Sequence, residues 1–178
     1  MRQKTQGNRE TMLKIMFLCT GNSCRSQMAE GFGRELGRDL IEVHSAGVAP
    51  AGWVNPHAVI VMKEIGIDIS NQASKPIHEA LLKTMDVIIT LCGDADKLCP
   101  KTPPEIKRLH WPIDDPVRVM GTEQEIMDAF RTARDKIKKQ ITKLIEDVRH
   151  DPKAIKGAGK ETMTTFKIAN NSDEGKES

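Results

Sequence analysis

Tyrosine is absent from this chain of 178 residues, and four phenylalanines and two tryptophans are its only aromatic side chains. The chain also has no large excess of charge, because 27 lysines and arginines are nearly balanced by 25 aspartates and glutamates, for a formal charge of +2. This balance argues against a dedicated nucleic-acid-binding surface or a polybasic membrane surface. No apolar run approaches the roughly 18 residues that a membrane-spanning helix needs. The polar start also lacks the apolar stretch of a secretory signal, so we expect a soluble, cytoplasmic protein, monomeric by default.

The composition that remains is that of one globular domain with a few cysteines. Hydrophobic residues make up 38% of the chain and charged residues 29%, which is enough apolar surface for a real core. The chain has four cysteines. In a reducing compartment such residues are more often reactive or metal-binding than parts of a permanent disulfide framework.

Short apolar strands alternate with helical segments along the chain. Strands are predicted at 14–18, 41–45, 87–91 and 109–111, and helices at 26–36, at 55–66 and from the capping box that starts at Thr122. This alternation favours an α/β fold in which a parallel sheet carries helices on both faces. We therefore expect three regions: a flexible N-terminal segment (1–12), one folded domain (13–149) and a mostly disordered C-terminal tail (150–178).

The loop between the first predicted strand and helix has the composition of an oxyanion site. Its amide groups, together with the positive end of the following helix, would converge on one point. Arg25 supplies a planar fork that can hold two oxygens of a tetrahedral anion. Cys19 ends the strand, where the same field would favour its thiolate form and make it a nucleophile. Gly21 and Asn22 suit the close approach and the left-handed backbone of such a loop.

Several sequence blocks resemble the thioredoxin-coupled arsenate reductases, which share the fold of the low-molecular-weight protein tyrosine phosphatases. The blocks are CTGNSCRSQMAEG (19–31), VHSAG (43–47), NPHAV (55–59), MKEIGIDISNQ (62–72), TLCGDADKLCP (90–100) and HWPIDDP (110–116). The resemblance runs from about Lys14 to about Leu144. It implies a four-stranded parallel sheet flanked by helices, with the anion loop after the first strand.

The resemblance also implies a mechanism. Cys19 attacks arsenate while Asp115 protonates the departing oxygen, and Cys92 then attacks Cys19 to release arsenite. Cys99 next attacks Cys92, which leaves a Cys92–Cys99 disulfide for external thioredoxin to reduce. No bound cofactor and no metal ion are needed, and phosphate or sulfate would compete as oxyanions. The catalytic set is Cys19, Cys92, Cys99, Arg25 and Asp115, and the substrate-binding set is Thr20, Gly21, Asn22, Ser23, Cys24 and Ser26.

The spacing of Cys92 and Cys99 limits when these two residues can form a disulfide. If 93–99 is helical, about 10 Å separates the backbones of Cys92 and Cys99. A disulfide tolerates a Cα separation of at most about 7 Å. Linking the two would therefore require this segment to unwind.

Two other functions compete with arsenate reduction. A phosphatase acting on phosphate monoesters is the nearer rival, since the loop alone cannot separate arsenate from phosphate. Phosphatases of this fold usually carry tyrosines after the Asp-Pro pair, where this chain has Val-Arg-Val, and they have no need of Cys92 and Cys99. A zinc site built from the four cysteines is less favoured, because neither cysteine pair has the short spacing of zinc knuckles.

Two further expectations concern Cys24 and Lys75. Cys24 is better explained as a small buried side chain inside the loop than as a redox partner. Some relatives bind potassium near the loop through residues matching Asn22, Glu30 and Ser45, with an acidic residue where this chain has Lys75. A lysine there would place its ammonium on Glu30, so we predict no strong dependence on potassium.

Overall fold

Four strands and six α-helices lie along residues 12–156, the part of the chain that this computed structural model describes. The strands are β1 (Leu13–Cys19), β2 (Ile41–Gly47), β3 (Val87–Thr90) and β4 (Lys107–His110). The helices are α1 (Arg25–Leu36), α2 (Pro56–Lys63), α3 (Glu79–Leu82), α4 (Gly93–Leu98), α5 (Glu123–His150) and α6 (Pro152–Ile155), and a 3₁₀ helix spans Pro116–Arg118. Every strand and helix predicted from the sequence is present, with ends shifted by a few residues.

The four strands form one parallel sheet in the order β2-β1-β3-β4. The chain leaves β1 toward one edge of the sheet for β2 and returns to the other side of β1 for β3. A crevice opens at such a reversal, beyond the carboxyl ends of the two strands. Cys19 ends β1, and Cys92 follows β3 by two residues, so both cysteines leave the sheet at this crevice. The predicted four-stranded parallel sheet between helices is confirmed.

The two faces of the sheet bury alternate residues of each strand, as the pleat requires. Ile15 and Phe17 of β1 pack in the larger core cluster, with the buried faces of α1, α2 and α5. Met16 and Leu18 point the other way and pack with residues of α3 and α4, among them Ala95. Helix α4 therefore lies on the opposite side of the sheet from α1.

Helix α5 covers the larger cluster along most of its length. It begins with the predicted capping box, in which the Thr122 hydroxyl accepts from the Glu125 amide at 3.2 Å and the Glu125 carboxylate accepts from the Thr122 amide at 2.7 Å. Its buried side chains recur at helical spacing: Met127, Phe130, Ala133, Ile137, Ile141, Leu144 and Val148.

The folded unit extends past the boundary at 149 that the sequence predicts. Helix α6 follows α5 directly and buries Ile155 against the larger cluster. The expected tail (150–178) therefore begins with a packed helix, because one apolar side chain still reaches the core. The rest of that tail, and the flexible segment expected before Met12, lie outside the described residues. Within residues 12–156 no helix has both the length and the apolarity that crossing a bilayer requires.

Candidate active site

The loop from Cys19 to Arg25 folds around the sulfur of Cys19. The Asn22 amide donates to Cys19 Sγ at 3.2 Å, and Ser26 Oγ lies 2.8 Å from the same sulfur. Ser26 Oγ also accepts from the side-chain amide of Asn22 at 2.8 Å, so its own proton is free to point at the sulfur. Cys19 Sγ thus has two hydrogen-bond donors directed at it, which fix the position of the sulfur within the loop.

The carbonyl groups of this loop turn outward. The Thr20 carbonyl accepts from the Ala49 amide at 2.9 Å, and the Gly21 carbonyl accepts from the Ala51 amide at 2.8 Å. The Ser23 carbonyl is held in the same way at 2.8 Å. In a trans peptide the next N–H points opposite to the C=O, so the amides that follow these three carbonyls face the inside of the loop. Inward amides make this loop suited to an oxyanion.

Asn22 has the left-handed backbone that the sequence predicts, with φ of 44°. Its buried side chain is fully hydrogen-bonded: it donates to Ser26 and, at 2.9 Å, to Ser45 Oγ, and it accepts from Gln27 Nε2 at 3.0 Å and from the Lys75 amide at 2.8 Å. These four bonds hold Asn22 in a conformation that a non-glycine residue rarely adopts.

Gln27 and Gly47 support the loop, and the sequence analysis assigned them no role. The fully buried Gln27 amide donates to the Asn22 carbonyl at 2.9 Å. A Cβ at Gly47 would lie 2.6 Å from the Thr20 carbonyl oxygen and 2.9 Å from the Asn22 nitrogen. At Gly21, by contrast, a Cβ would meet only an ordinary contact of 3.7 Å. The end of β2 thus approaches the loop backbone closely at Gly47, whereas the approach of Gly21 to a bound anion stays a prediction.

Arg25 is directed from the first turn of α1 across the loop to Asp115. One terminal nitrogen of its guanidinium donates to the Ile113 carbonyl at 2.9 Å, and the other lies 3.3 Å from Asp115 Oδ2. The neighbouring Asp114 is exposed and pairs with Lys136 at 2.9 Å, which holds the pKa of Asp114 below its usual range. Of the two acids, Asp115 is the one that lies at the loop.

Cys92 also lies at the loop, whereas Cys99 does not. Cys92 Sγ is 3.3 Å from the hydroxyl of Thr20, the residue next to Cys19, and it accepts from the Ala95 amide at 3.4 Å. Helix α4 runs from Cys92 to Cys99, which is buried at its far end. Burial raises the pKa of the Cys99 thiol. The residues that separate Cys92 from Cys99 are thus helical, so this helix would have to unwind before the two thiols could form a disulfide.

Cys24 is buried at the start of α1, with the charged groups of Arg25 and Asp115 near its thiol. Burial, with smaller contributions from Asp115 and Cys19, raises the pKa of Cys24 to about 12. A thiol with such a pKa stays protonated at neutral pH and is a poor nucleophile. This agrees with the expectation that Cys24 fills space.

Glu30 is a buried carboxylate on α1, behind the anion loop. It accepts from the Ser45 hydroxyl and pairs with Arg34 and with Lys75, whose Nζ lies 3.4 Å away. The Lys75 ammonium also donates to the Ala73 carbonyl at 2.7 Å. The predicted pairing of Lys75 with Glu30 is confirmed.

The structure thus collects all of the predicted site residues but one around a single loop. Those within the loop or on its helix are Cys19, Thr20, Gly21, Asn22, Ser23, Cys24, Arg25 and Ser26, those that reach it from elsewhere are Cys92 and Asp115, and the one that lies apart is Cys99. In residues 12–156 no three His, Cys, Asp or Glu side chains gather closely enough to hold a metal ion.

Comparison with known proteins gives a consistent result. A family model described as low molecular weight phosphotyrosine protein phosphatase matches residues 14–154. An arsenate reductase of Bacillus subtilis is 52% identical over 132 residues, which cover 74% of this chain and 94% of that protein.

Solved structures resemble this fold across the same region. A structure described as an arsenate reductase in the phosphate binding state is 38% identical, covers 77% of this chain and 99% of its own, and has a TM-score of 0.62. A thioredoxin-dependent arsenate reductase of Corynebacterium glutamicum is 26% identical with a TM-score of 0.63, covering 80% of this chain and 65% of that one.

Proposed function

The chain belongs to the low molecular weight phosphotyrosine protein phosphatase family, and we propose that within this family it reduces arsenate to arsenite with electrons from thioredoxin. Relatives named arsenate reductase support the activity. The observation that carries the proposal is the second sulfur at the anion loop, where Cys92 Sγ lies 3.3 Å from the Thr20 hydroxyl. Hydrolysis of a phosphate ester has no use for this thiol, whereas reduction requires it.

Arsenate would bind inside the loop, on its inward amides and on Arg25. The Arg25 guanidinium now lies 3.3 Å from Asp115, so an anion that takes the guanidinium sits directly beside that carboxyl. Phosphate and sulfate have the same tetrahedral shape and would compete. The solved structure of a similar reductase in its phosphate binding state is in keeping with this competition.

The first step is nucleophilic. The Cys19 thiolate attacks the arsenic, a sulfur–arsenic bond forms, and one oxygen leaves as water after Asp115 donates a proton. The hydroxyl of Ser26 and the amide of Asn22 hold the sulfur in place for this attack.

The next steps move two electrons from sulfur to arsenic. The Cys92 thiolate attacks Cys19 Sγ, a disulfide forms, and the electron pair of the sulfur–arsenic bond stays on arsenic, which leaves as arsenite. Cys99 then attacks Cys92 Sγ and releases Cys19 as a thiolate. Two electrons from the dithiol of thioredoxin reduce the Cys92–Cys99 disulfide. No resident cofactor enters this cycle.

Thioredoxin as the donor would place the enzyme in the cytoplasm, in arsenic detoxification. The thioredoxin-dependent relative supports the donor, since that reductase shares this fold and is 26% identical. A monomer is sufficient for the proposed chemistry, because one chain supplies all three thiols.

A thiol count tests the proposal. Fully reduced protein is incubated once with arsenate, denatured and titrated with a thiol reagent, with phosphate as the matched anion. We expect a fall from four thiols to two with arsenate and no change with phosphate. Cys92→Ser should abolish the fall.

A count that stays at four after arsenate would refute the reductase mechanism. Hydrolysis of p-nitrophenyl phosphate would then become the activity to measure.

A further inference from the structure

Helix α4 is tied to the sheet by side chains that the reaction itself does not use. The Thr90 hydroxyl donates to the Asp96 carboxylate at 3.0 Å. Arg108 donates to two main-chain carbonyls of the same segment, Asp96 at 3.4 Å and Pro100 at 3.3 Å. The acceptors of these three hydrogen bonds, on Asp96 and Pro100, therefore lie in the stretch between Cys92 and the residue after Cys99.

The sheet pleat explains why these side chains meet α4. Thr90 has the same parity along β3 as Ile88, which packs in the smaller cluster on the α4 side. In the parallel register Ile88 pairs with Arg108 and Thr90 pairs with His110, so all four side chains lie on that face. The end of β3 and the edge strand β4 together form one attachment for α4.

The direction of the Thr90 hydrogen bond follows from the count of protons. A hydroxyl has one proton, and three groups lie within hydrogen-bond distance of it: Asp96 Oδ1, the Leu109 carbonyl at 3.3 Å and His110 Nδ1 at 2.9 Å. The carboxylate is the charged acceptor and takes the proton. His110 must then donate from Nδ1 to the Thr90 oxygen, which keeps the hydroxyl directed at the helix.

These contacts oppose the last step of the proposed relay. Forming the Cys92–Cys99 bond requires α4 to unwind, and unwinding carries Asp96 and Pro100 away from the sheet. We propose that Thr90, Asp96 and Arg108 form a clamp that holds the reduced segment helical, and that its release sets how readily Cys99 reaches Cys92. The inference rests on the proposed function, since only a relay gives the opening of α4 a purpose.

The clamp residues are positioning residues, because none of them touches a reacting sulfur. In the step itself Cys99 Sγ bonds to Cys92 Sγ and Cys19 leaves as a thiolate, whether or not the clamp is present. The clamp changes the fraction of molecules in which α4 is unwound. Losing one of its hydrogen bonds removes stabilisation from the dithiol form alone and should favour the disulfide by roughly fivefold.

Redox equilibrium in the full-length chain tests the clamp without arsenate. Cys19→Ser and Cys24→Ser together leave Cys92 and Cys99 as the only thiols. This protein is equilibrated with mixtures of reduced and oxidised dithiothreitol, alkylated and weighed by mass spectrometry. We expect Thr90→Val to move the equilibrium roughly fivefold toward the disulfide. Thr90→Ser, which keeps the hydroxyl, should stay within about twofold of the parent.

A second pair of variants separates the clamp from simple electrostatics. The Arg108 charge lowers the pKa of Cys99 and the Asp96 charge raises it. Arg108→Met and Asp96→Val therefore act on that thiol in opposite directions, although both release the clamp. Valine has about the helix propensity of aspartate. A shift of both variants toward the disulfide supports the clamp, and shifts of opposite sign would overturn it.

Hydrogen exchange gives a readout that does not depend on the disulfide. In reduced protein the amides of 93–99 should exchange faster in Thr90→Val than in Thr90→Ser, while those of α1 stay unchanged. A disulfide that forms equally in every variant overturns the clamp alone. A dithiol that resists oxidation in every variant overturns the relay and the clamp with it.

Discussion

Gly47 offers the sharpest test of how closely the sheet supports the anion loop. A methyl group at this position would lie 2.6 Å from the Thr20 carbonyl oxygen and 2.9 Å from the Asn22 nitrogen. Ordinary contacts between carbon and oxygen begin near 3.3 Å, so the loop would have to shift by about 0.7 Å. Both atoms are backbone, so no flexible side chain can yield in their place.

This shift sets the expected cost of Gly47→Ala. Overpacking of this kind costs about 2 kcal/mol of unfolding free energy. For a chain of this size that lowers the melting temperature by about 6 °C. A displacement approaching 1 Å also moves the inward amides away from the anion, so the arsenate-dependent loss of thiols should slow at least about tenfold.

The assay combines thermal unfolding with titration of the thiols that remain after timed incubations with arsenate. Gly93→Ala is the stability control. A Cβ at Gly93 meets nothing within 4 Å. Both changes reduce the entropy of the unfolded chain alike, so their difference isolates the clash. If Gly47→Ala and Gly93→Ala melt at the same temperature and Gly47→Ala reacts at the parental rate, the loop does not pack closely against the end of β2.

Three further predictions concern single contacts. Cys24→Ser should leave turnover unchanged, and Cys24 should resist iodoacetamide in the folded protein up to at least pH 9, because its pKa of about 12 keeps it protonated below that value. Thr20→Val should slow alkylation of Cys92 severalfold, because it removes the hydroxyl that lies 3.3 Å from the sulfur. Replacing sodium by potassium at equal ionic strength should change activity by less than about twofold, because Lys75 already supplies a cation to Glu30.

Each of these has an outcome that contradicts it. Cys24 labelling as fast as an exposed thiol would show an ionisable group in the loop. Equal alkylation of Cys92 in Thr20→Ser and Thr20→Val would remove any role for the hydroxyl. A severalfold rise of activity in potassium would show that Lys75 does not take the place of a cation.

Much of the architecture followed from local patterns. The apolar run at 87–91, the capping box at Thr122 and the helical spacing of α5 each lie within one stretch of chain, where periodicity and hydrogen bonding to near neighbours dominate. The short helices α3 and α6 gave no such signal. Four residues are too few to show a period, and α6 depends on the burial of one side chain, Ile155.

For the anion loop, the sequence by itself determined the chemistry: a thiol, a left-handed Asn22 and an arginine within seven consecutive residues. Tertiary structure alone decided what surrounds them. It placed Asp115 beside Arg25, set Gly47 against the loop backbone, and joined Thr90 and Arg108 to α4. The reason is physical. The loop is specified by neighbours in the chain, whereas these contacts depend on strand order, register and pleat, which form only when distant segments pack together.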